Sequence, residues 1–179
     1  ANTNTSASDS QRYDALVRDA QPAASAVPNA GNQEMVILFA AGNAGSGANT
    51  VGSPGTAKNV FTSGASENVQ AFGAADQCGT TDAEADSAMD VATFSSRGPC
   101  SDGRKKPDMM APGTHVSGGV GQTAGQHAEP PAVATGQALA CFDASGVCAG
   151  PGTSNFWPLS QQWYTASSGT SAARRCRRR

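Results

Sequence analysis

Cysteine and histidine are the residue types in this chain that can serve both as metal ligands and as a catalytic nucleophile or base. The five cysteines stand at positions 78, 100, 141, 148 and 176, and the two histidines at positions 115 and 127. Neither histidine lies near a pair of cysteines, so the spacing of a zinc site is absent. Cys141 and Cys148 enclose a six-residue loop suited to a disulfide, and Cys78 with Cys100 is a second candidate pair. Cys176 would be left over, and such pairing indicates an oxidising, extracellular setting.

Carboxylates between positions 76 and 90 form the other group with metal-binding chemistry. They are Asp76, Asp82, Glu84, Asp86 and Asp90. Calcium prefers oxygen ligands of this kind, but the tight ligand spacing of a calcium loop is missing. A solvated acidic loop is therefore predicted. No cofactor is predicted, and calcium is compatible with these residues without being indicated by them.

The composition predicts a small aliphatic core and long loops. Leu, Ile, Val and Phe total 22 residues, about 12% of the chain, where a globular domain has roughly 20% or more. Most of the other hydrophobic residues are alanine, and Gly, Ser, Thr, Asn and Pro dominate the remainder. We interpret this as a chain with extended surface loops whose apolar partner segments lie elsewhere.

The charge is divided unevenly between the body of the chain and its last residues. Five of the 12 basic residues fall in the last six positions, which leaves 7 basic against 14 acidic residues elsewhere. An acidic body gives no reason to expect nucleic-acid binding. The sequence also contains no apolar stretch long enough to cross a membrane.

Periodicity and turn residues predict one helix and three strands. Residues 10–20 have the spacing of a short amphipathic helix that Pro22 ends. The apolar run 35–41 is typical of a strand buried on both faces of a parallel sheet. Residues 60–65 and 91–95 are predicted as further strands, and residues 118–160 as a long loop.

Four sequence blocks, in this order, resemble subtilisin-like serine proteases. They are Phe39-Ala40-Ala41-Gly42-Asn43 with Val51-Gly52-Ser53-Pro54 and Asn59-Val60-Phe61-Thr62-Ser63-Gly64-Ala65; Phe94-Ser95-Ser96-Arg97-Gly98-Pro99; Lys106-Pro107-Asp108-Met109-Met110-Ala111-Pro112-Gly113-Thr114; and Ser168-Gly169-Thr170-Ser171. Each block alone is weak, because strings of Gly, Ser and Ala are common. All four in family order over about 130 residues make the resemblance specific.

The resemblance implies a three-layer α/β fold with a central parallel sheet, incomplete in this chain, and a Ser-His-Asp triad that cleaves peptide bonds. It makes Ser171 the nucleophile, placed by the Gly-Thr turn at a helix N-terminus where its hydroxyl meets a base. It makes Asn43 a side-chain donor to the oxyanion.

The resemblance also assigns a substrate pocket. Ala40, Ala41 and Gly42 would form one wall of the pocket for the residue before the scissile bond, and Gly52 its floor. Small residues there suit a roomy, apolar pocket for polypeptide substrates. Ser53-Pro54 matches a position where the family has a cis peptide bond, so a cis bond is predicted here.

The chain departs from the family pattern in two places. The catalytic Asp and His motifs belong upstream of Asn43, and the sequence begins after both. His115 imitates the histidine motif but follows the Ala111-Pro112 block, so a loop or packing role is predicted for it, as for His127. After Ser171 the expected Pro-containing apolar helix is replaced by an arginine-rich tail, residues 172–179, which we interpret as a frameshift or fragment boundary.

Residues 1–171 are thus expected to be part of a subtilisin-like peptidase domain. The leading hypothesis is a secreted, monomeric serine endopeptidase of which this chain, without its Asp and His, is inactive alone. A non-catalytic secreted binding module on the same fold is the alternative. A third hypothesis is polyanion binding through the arginine tail.

Overall fold

The structure, a computed structural model, describes residues 8–73, 75, 76, 78–119 and 164–175. Its helices and strands are α1 (Ser8–Arg18), β1 (Leu38–Ala40), β2 (Phe61–Ser66), a 3-10 turn (Asp82–Glu84), β3 (Met109–Pro112), β4 (Val116–Gly119), β5 (Tyr164–Ser167) and α2 (Thr170–Arg175). The predicted loop beyond Gly119 and the tail beyond Arg175 lie outside the described residues, as does His127.

The first three strands form a parallel sheet in the order β1-β2-β3. Residues 62–65 of the middle strand are all buried, as expected for a strand that is covered on both faces. β4 and β5 form a separate antiparallel pair. Since β5 ends at Ser167, this pair delivers the chain to the Ser168-Gly169-Thr170-Ser171 block.

The core beside this sheet is built almost entirely from alanine. Ala65, Ala92, Ala111 and Ala173 form one buried cluster, against which Phe94 packs. Gly113 belongs to the same tight region, because a Cβ there would lie 2.5 Å from the Cβ of Ala65. Small residues bring β2, β3 and α2 close together, which explains how the chain forms a core with so few large aliphatic residues.

Helix α1 lies two residues earlier than predicted and fixes the turns that follow β1. Tyr13 packs edge-on against Phe39, with ring centroids 4.7 Å apart. The Ser10 hydroxyl is fully buried and lies 2.9 Å from the Ser53 hydroxyl and 3.2 Å from that of Thr56. None of the described helices is long and apolar enough to cross a membrane.

The prediction of a doubly buried strand over residues 35–41 was wrong in extent and burial. The register pairs Leu38 with Phe61, the first residue of β2, so residues before Leu38 have no ladder partner. Accordingly Met35 and Val36 are 43% and 72% exposed, and the three residues of β1 are half-buried.

The predicted strand at 91–95 does not form. Val91 makes one isolated bridge to Ser66, and the chain then turns, with Ser95 N donating to the carbonyl of Ala92. The Ser95 hydroxyl accepts the N–H of Ala65 at 3.0 Å. The Ser95 side chain thus supplies the acceptor that a neighbouring strand would otherwise provide to β2 at Ala65.

Lys106 is buried, although a lysine in the charged segment 104–106 would be expected at the surface. Its ammonium donates to the carbonyl of Val60 at 2.8 Å and to Asp108 at 2.5 Å. The Asp108 carboxylate also accepts the N–H of Thr62 at 2.8 Å. The pair therefore joins the start of β2 to the segment that leads into β3.

The proposed Cys78–Cys100 disulfide is also wrong. Cys78 is disulfide-bonded, whereas Cys100 is a buried free thiol, so Cys78 pairs with a cysteine outside the described residues. Burial raises the pKa of the Cys100 thiol. The predicted Cys141–Cys148 pair lies outside the described residues.

Candidate active site

Ser171 lies in the first turn of α2 and is exposed. The chain reaches it from β5 through Ser168 and Gly169, whose φ of +146° is a backbone conformation that side chains disfavour. Gly169 N donates to the carbonyl of Gly113 at 2.7 Å. The placement of Ser171 at a helix start, which the resemblance implied, is present in the structure.

Asn43 lies in the turn three residues after the end of β1, and its side chain is oriented by Thr170. The Asn43 Oδ1 accepts the backbone N–H of Thr170 at 2.9 Å and its hydroxyl at 2.9 Å. Gly42 N lies 3.2 Å from the same hydroxyl and donates to it. Because a backbone N–H can only donate, the atom facing Thr170 must be the amide oxygen. The Nδ2 of Asn43 is therefore free to donate elsewhere.

Gly169 shows that Asn43 and Ser171 border the same small space. A Cβ built on Gly169 would lie 3.3 Å from Asn43 Nδ2 and 3.9 Å from the backbone N of Ser171. Two nitrogen donors from distant parts of the chain thus surround one point beside the Ser171 residue. Such an arrangement suits stabilisation of a negative charge that develops on a carbonyl oxygen.

The four residues predicted to line the substrate pocket also lie together. Ala40 ends β1 and Ala41 follows it, fully buried, with its carbonyl accepting the N–H of Gly52 at an N–O distance of 3.4 Å. Gly42 has a φ of +104°, which turns the chain away from the sheet. The Ser53-Pro54 bond is cis, as predicted.

The sequence analysis missed Gly55 in this region. A Cβ on Gly55 would lie 3.1 Å from the carbonyl oxygen of Gly52 and 3.3 Å from that of Ala40. Only glycine allows the 52–55 turn to approach the end of β1 this closely. Its place in a run of small residues offered no signal in the sequence.

His115 is a packing histidine, as predicted. Its side chain is fully buried, with Nδ1 2.7 Å from the carbonyl of Gln70 and Nε2 2.9 Å from the carbonyl of Thr80. Phe72 stacks on the ring with centroids 4.1 Å apart. Each ring nitrogen faces a backbone carbonyl within hydrogen-bond distance, although a neutral ring donates from one nitrogen only. Neither nitrogen is therefore directed at Ser171 as a base.

Replacing His115 with alanine is expected to lower the free energy of unfolding by about 2–3 kcal/mol, because loss of the fully buried ring leaves a cavity beside Phe72 and removes the polar contacts to the carbonyls of Gln70 and Thr80. His115→Gln, which can donate to one of them, should recover part of the loss. Thermal or denaturant unfolding of the intact protein measures both variants. Unchanged stability of His115→Ala would contradict this account.

Two carboxylates of the predicted acidic loop organise its backbone. Asp82 accepts the N–H groups of Phe72 at 2.7 Å and Gly73 at 2.8 Å. The hydrogen bond from Phe72 is the main cause that lowers the pKa of Asp82. Asp76 is buried, which corrects the prediction of a solvated loop at that position. Among the described residues, no group of three or more His, Cys, Asp or Glu side chains could hold a metal ion.

Comparison with known proteins agrees with the fold and these motifs. The chain belongs to the Subtilase family, which it matches over residues 3–174. The α/β fold class with a parallel sheet, expected from the resemblance, is confirmed.

Two individual relatives carry protease names. The chain is 38% identical over 108 residues to the serine protease AprX of Bacillus subtilis, a match that covers 60% of this chain and 21% of AprX. It is 45% identical over 87 residues to pyrolysin of Pyrococcus furiosus, which covers 44% of this chain and 6% of pyrolysin. The chain therefore spans about a fifth or less of the length of these relatives.

Proposed function

We propose that the intact protein from which this chain derives is a serine endopeptidase that works through an acyl-enzyme intermediate. The observation that carries the proposal is that Asn43, held by Thr170, and the backbone N of Ser171 both border the space beside Gly169. In a member of the Subtilase family, this arrangement fits the geometry that acyl transfer requires.

In this mechanism Ser171 Oγ attacks the carbonyl carbon of a peptide bond while a histidine base removes the hydroxyl proton. The carbonyl oxygen becomes an oxyanion that accepts hydrogen bonds from Asn43 Nδ2 and the backbone N–H of Ser171. Collapse of this intermediate expels the amine, which takes the proton from the histidine. Water then hydrolyses the ester on Ser171, with the same histidine acting as base.

The small residues around the pocket support polypeptide substrates. Ala40, Ala41 and Gly42 leave room for the side chain that precedes the scissile bond, and Gly52 closes the pocket below it. Secretion of the protein is supported by the disulfide at Cys78, since such bonds persist in oxidising compartments. We infer a monomer that needs no nucleic acid or membrane for activity.

This chain by itself is proposed to be inactive. His115 is the one histidine among the described residues, and its ring nitrogens face the carbonyls of Gln70 and Thr80 rather than Ser171. Without a base, the Ser171 hydroxyl remains a weak nucleophile. Of the arginine-rich tail assigned to residues 172–179, residues 172–175 continue α2 and Ala173 lies in the buried core, so this part belongs to the fold.

The test compares the intact protein with the 179-residue chain in a fluorophosphonate labelling assay and a casein cleavage assay. We expect the intact protein to cleave casein and to carry the label on the peptide containing Ser171, and the chain alone to do neither. An intact protein that folds but is not labelled would favour the alternative, a non-catalytic binding module. Sequencing the gene on both sides shows whether Asp and His motifs precede the chain.

A further inference from the structure

The three residues that precede Ser171 are each tied to a different part of the chain. Thr170 bonds to Asn43, and Gly169 N donates to the carbonyl of Gly113. Ser168 makes the third connection, through its hydroxyl, to Asp76. The first two connections join parts of the proposed site to each other, whereas the third reaches a residue that the mechanism does not use.

Asp76 is a buried carboxylate whose two oxygens have separate partners. Its Oδ1 accepts the N–H groups of Cys78 and Thr80, both at 2.9 Å, and so closes the turn over residues 76–80. Its Oδ2 accepts the hydroxyl of Ser168 in a short hydrogen bond. A hydrogen bond to an ionised acceptor is roughly twice as strong as a neutral one, so this is a firm connection.

Ser168 is held from the opposite side as well. Its hydroxyl oxygen accepts the backbone N–H of His115 at 2.9 Å while its proton goes to Asp76. Its own backbone N–H donates to the sulfur of Cys78 at 3.5 Å. The Ser168 side chain therefore bridges the 76–80 turn and the start of β4, three residues before Ser171.

The 76–80 turn is itself fixed in place, so it can serve as an anchor. Asp76 N donates to the carbonyl of Thr80 at 2.8 Å, and that carbonyl also lies 2.9 Å from His115 Nε2. The disulfide of Cys78 adds a covalent constraint. A rigid support of this kind is what holds a reacting group in its productive position.

We propose that Asp76 and Ser168 are positioning residues that set the location of Ser171 relative to Asn43. Asp76 acts through Ser168 and touches no residue of the proposed site. The inference rests on the proposed endopeptidase function for its kinetic consequence, but the connection itself is a property of the fold.

The test uses Asp76→Asn and Ser168→Ala in the intact protein. In Asp76→Asn the amide nitrogen that replaces Oδ2 cannot accept the Ser168 proton, and in Ser168→Ala the bridge is removed. We expect each variant to lower kcat by about ten-fold with KM within about two-fold, because small displacements of a nucleophile slow the chemical step. The kcat of the double variant should be no lower than that of the slower single variant, because the two substitutions break the same Asp76–Ser168 hydrogen bond.

Two controls separate positioning from other effects. Glu84→Gln removes a charge from the same loop, where the Glu84 carboxylate accepts the exposed Thr93 hydroxyl at 2.7 Å, and should leave kcat unchanged. Ser168→Thr keeps the hydroxyl and should restore most of the activity lost in Ser168→Ala.

Hydrogen exchange of the amides of residues 168–171 gives a readout that does not need catalysis. Faster exchange in Asp76→Asn and Ser168→Ala than in Glu84→Gln supports the connection between Asp76 and Ser168. This result holds even if the wild-type protein cleaves no peptide, an outcome that would contradict the endopeptidase proposal but not the positioning role. Unchanged exchange in Asp76→Asn and Ser168→Ala overturns the anchor. Additive losses of kcat in the double variant would also overturn it.

Discussion

Replacing Ser171 with alanine in the intact protein is expected to lower kcat for peptide cleavage by about 10⁶. The factor is taken from subtilisin, where removal of the nucleophile has this effect. The physical reason is that alanine offers no oxygen for the acyl-enzyme, so only the oxyanion donors and substrate binding remain. Steady-state hydrolysis of a chromogenic peptide, on protein freed of wild-type contamination, measures the loss.

Ser87→Ala is the matched control for this substitution. Ser87 lies in the 76–90 loop, where its carbonyl accepts the N–H of Asp90, and it lies outside the proposed site. Its loss should leave kcat unchanged. A Ser171→Ala protein that kept more than about 1% of wild-type activity would show that another group is the nucleophile. Ser171 would then be an ordinary loop serine.

The parts of the site that could be expected from sequence are those that the family resemblance supplies. The resemblance placed Asn43 in the turn after an apolar strand and Ser171 after a Gly-Thr turn, and the structure has both residues in those local settings. The same holds for the cis bond before Pro54. These features sit within blocks of four to nine residues, and such blocks carry the family resemblance.

The contacts that join the blocks could not be predicted, because they depend on long-range packing. Asp76 and Ser168 are 92 residues apart in the sequence. Nothing in the acidic composition of the 76–90 loop distinguished Asp76 from its solvated neighbours. His115 was interpreted correctly as non-catalytic from motif order, but its two carbonyl partners, at Gln70 and Thr80, carried no sequence signal.

Strand prediction failed where tertiary contacts override propensity. The 91–95 segment has the residue types of a strand, yet the hydroxyl of Ser95 bonds to the Ala65 N–H and the backbone turns. Lys106 is a similar case, since a lysine that directly follows another lysine is expected to be exposed. The carbonyl of Val60 and the Asp108 carboxylate allow it to be buried.

Replacing Asn43 with alanine is expected to lower kcat by about 10²–10³ with little change in KM. The range is again taken from subtilisin, whose asparagine donor has this effect when removed. KM should change little because the donor at Nδ2 bonds more strongly to the oxyanion of the transition state than to the ground-state carbonyl. Initial rates over a range of peptide concentrations separate the two constants.

Asn43→Ala also removes the acceptor that holds Thr170. Two further variants therefore separate the loss of the Nδ2 donor from the loss of this acceptor. Asn43→Asp keeps an oxygen for the Thr170 N–H and hydroxyl but loses the donor and places a negative charge beside the oxyanion. It should therefore be at least as slow as Asn43→Ala. Thr170→Val removes the hydroxyl bond to Asn43 Oδ1 and keeps the donor, so a smaller loss, about ten-fold, is expected.

The order of these three variants decides what Asn43 does. If donation by Nδ2 dominates, both Asn43 variants fall well below Thr170→Val. If orientation of the nucleophile turn dominates, Asn43→Asp retains most of the activity, because its carboxylate still accepts from Thr170. That second order would remove the oxyanion role and leave Asn43 as a support for Ser171, in the same sense as Asp76.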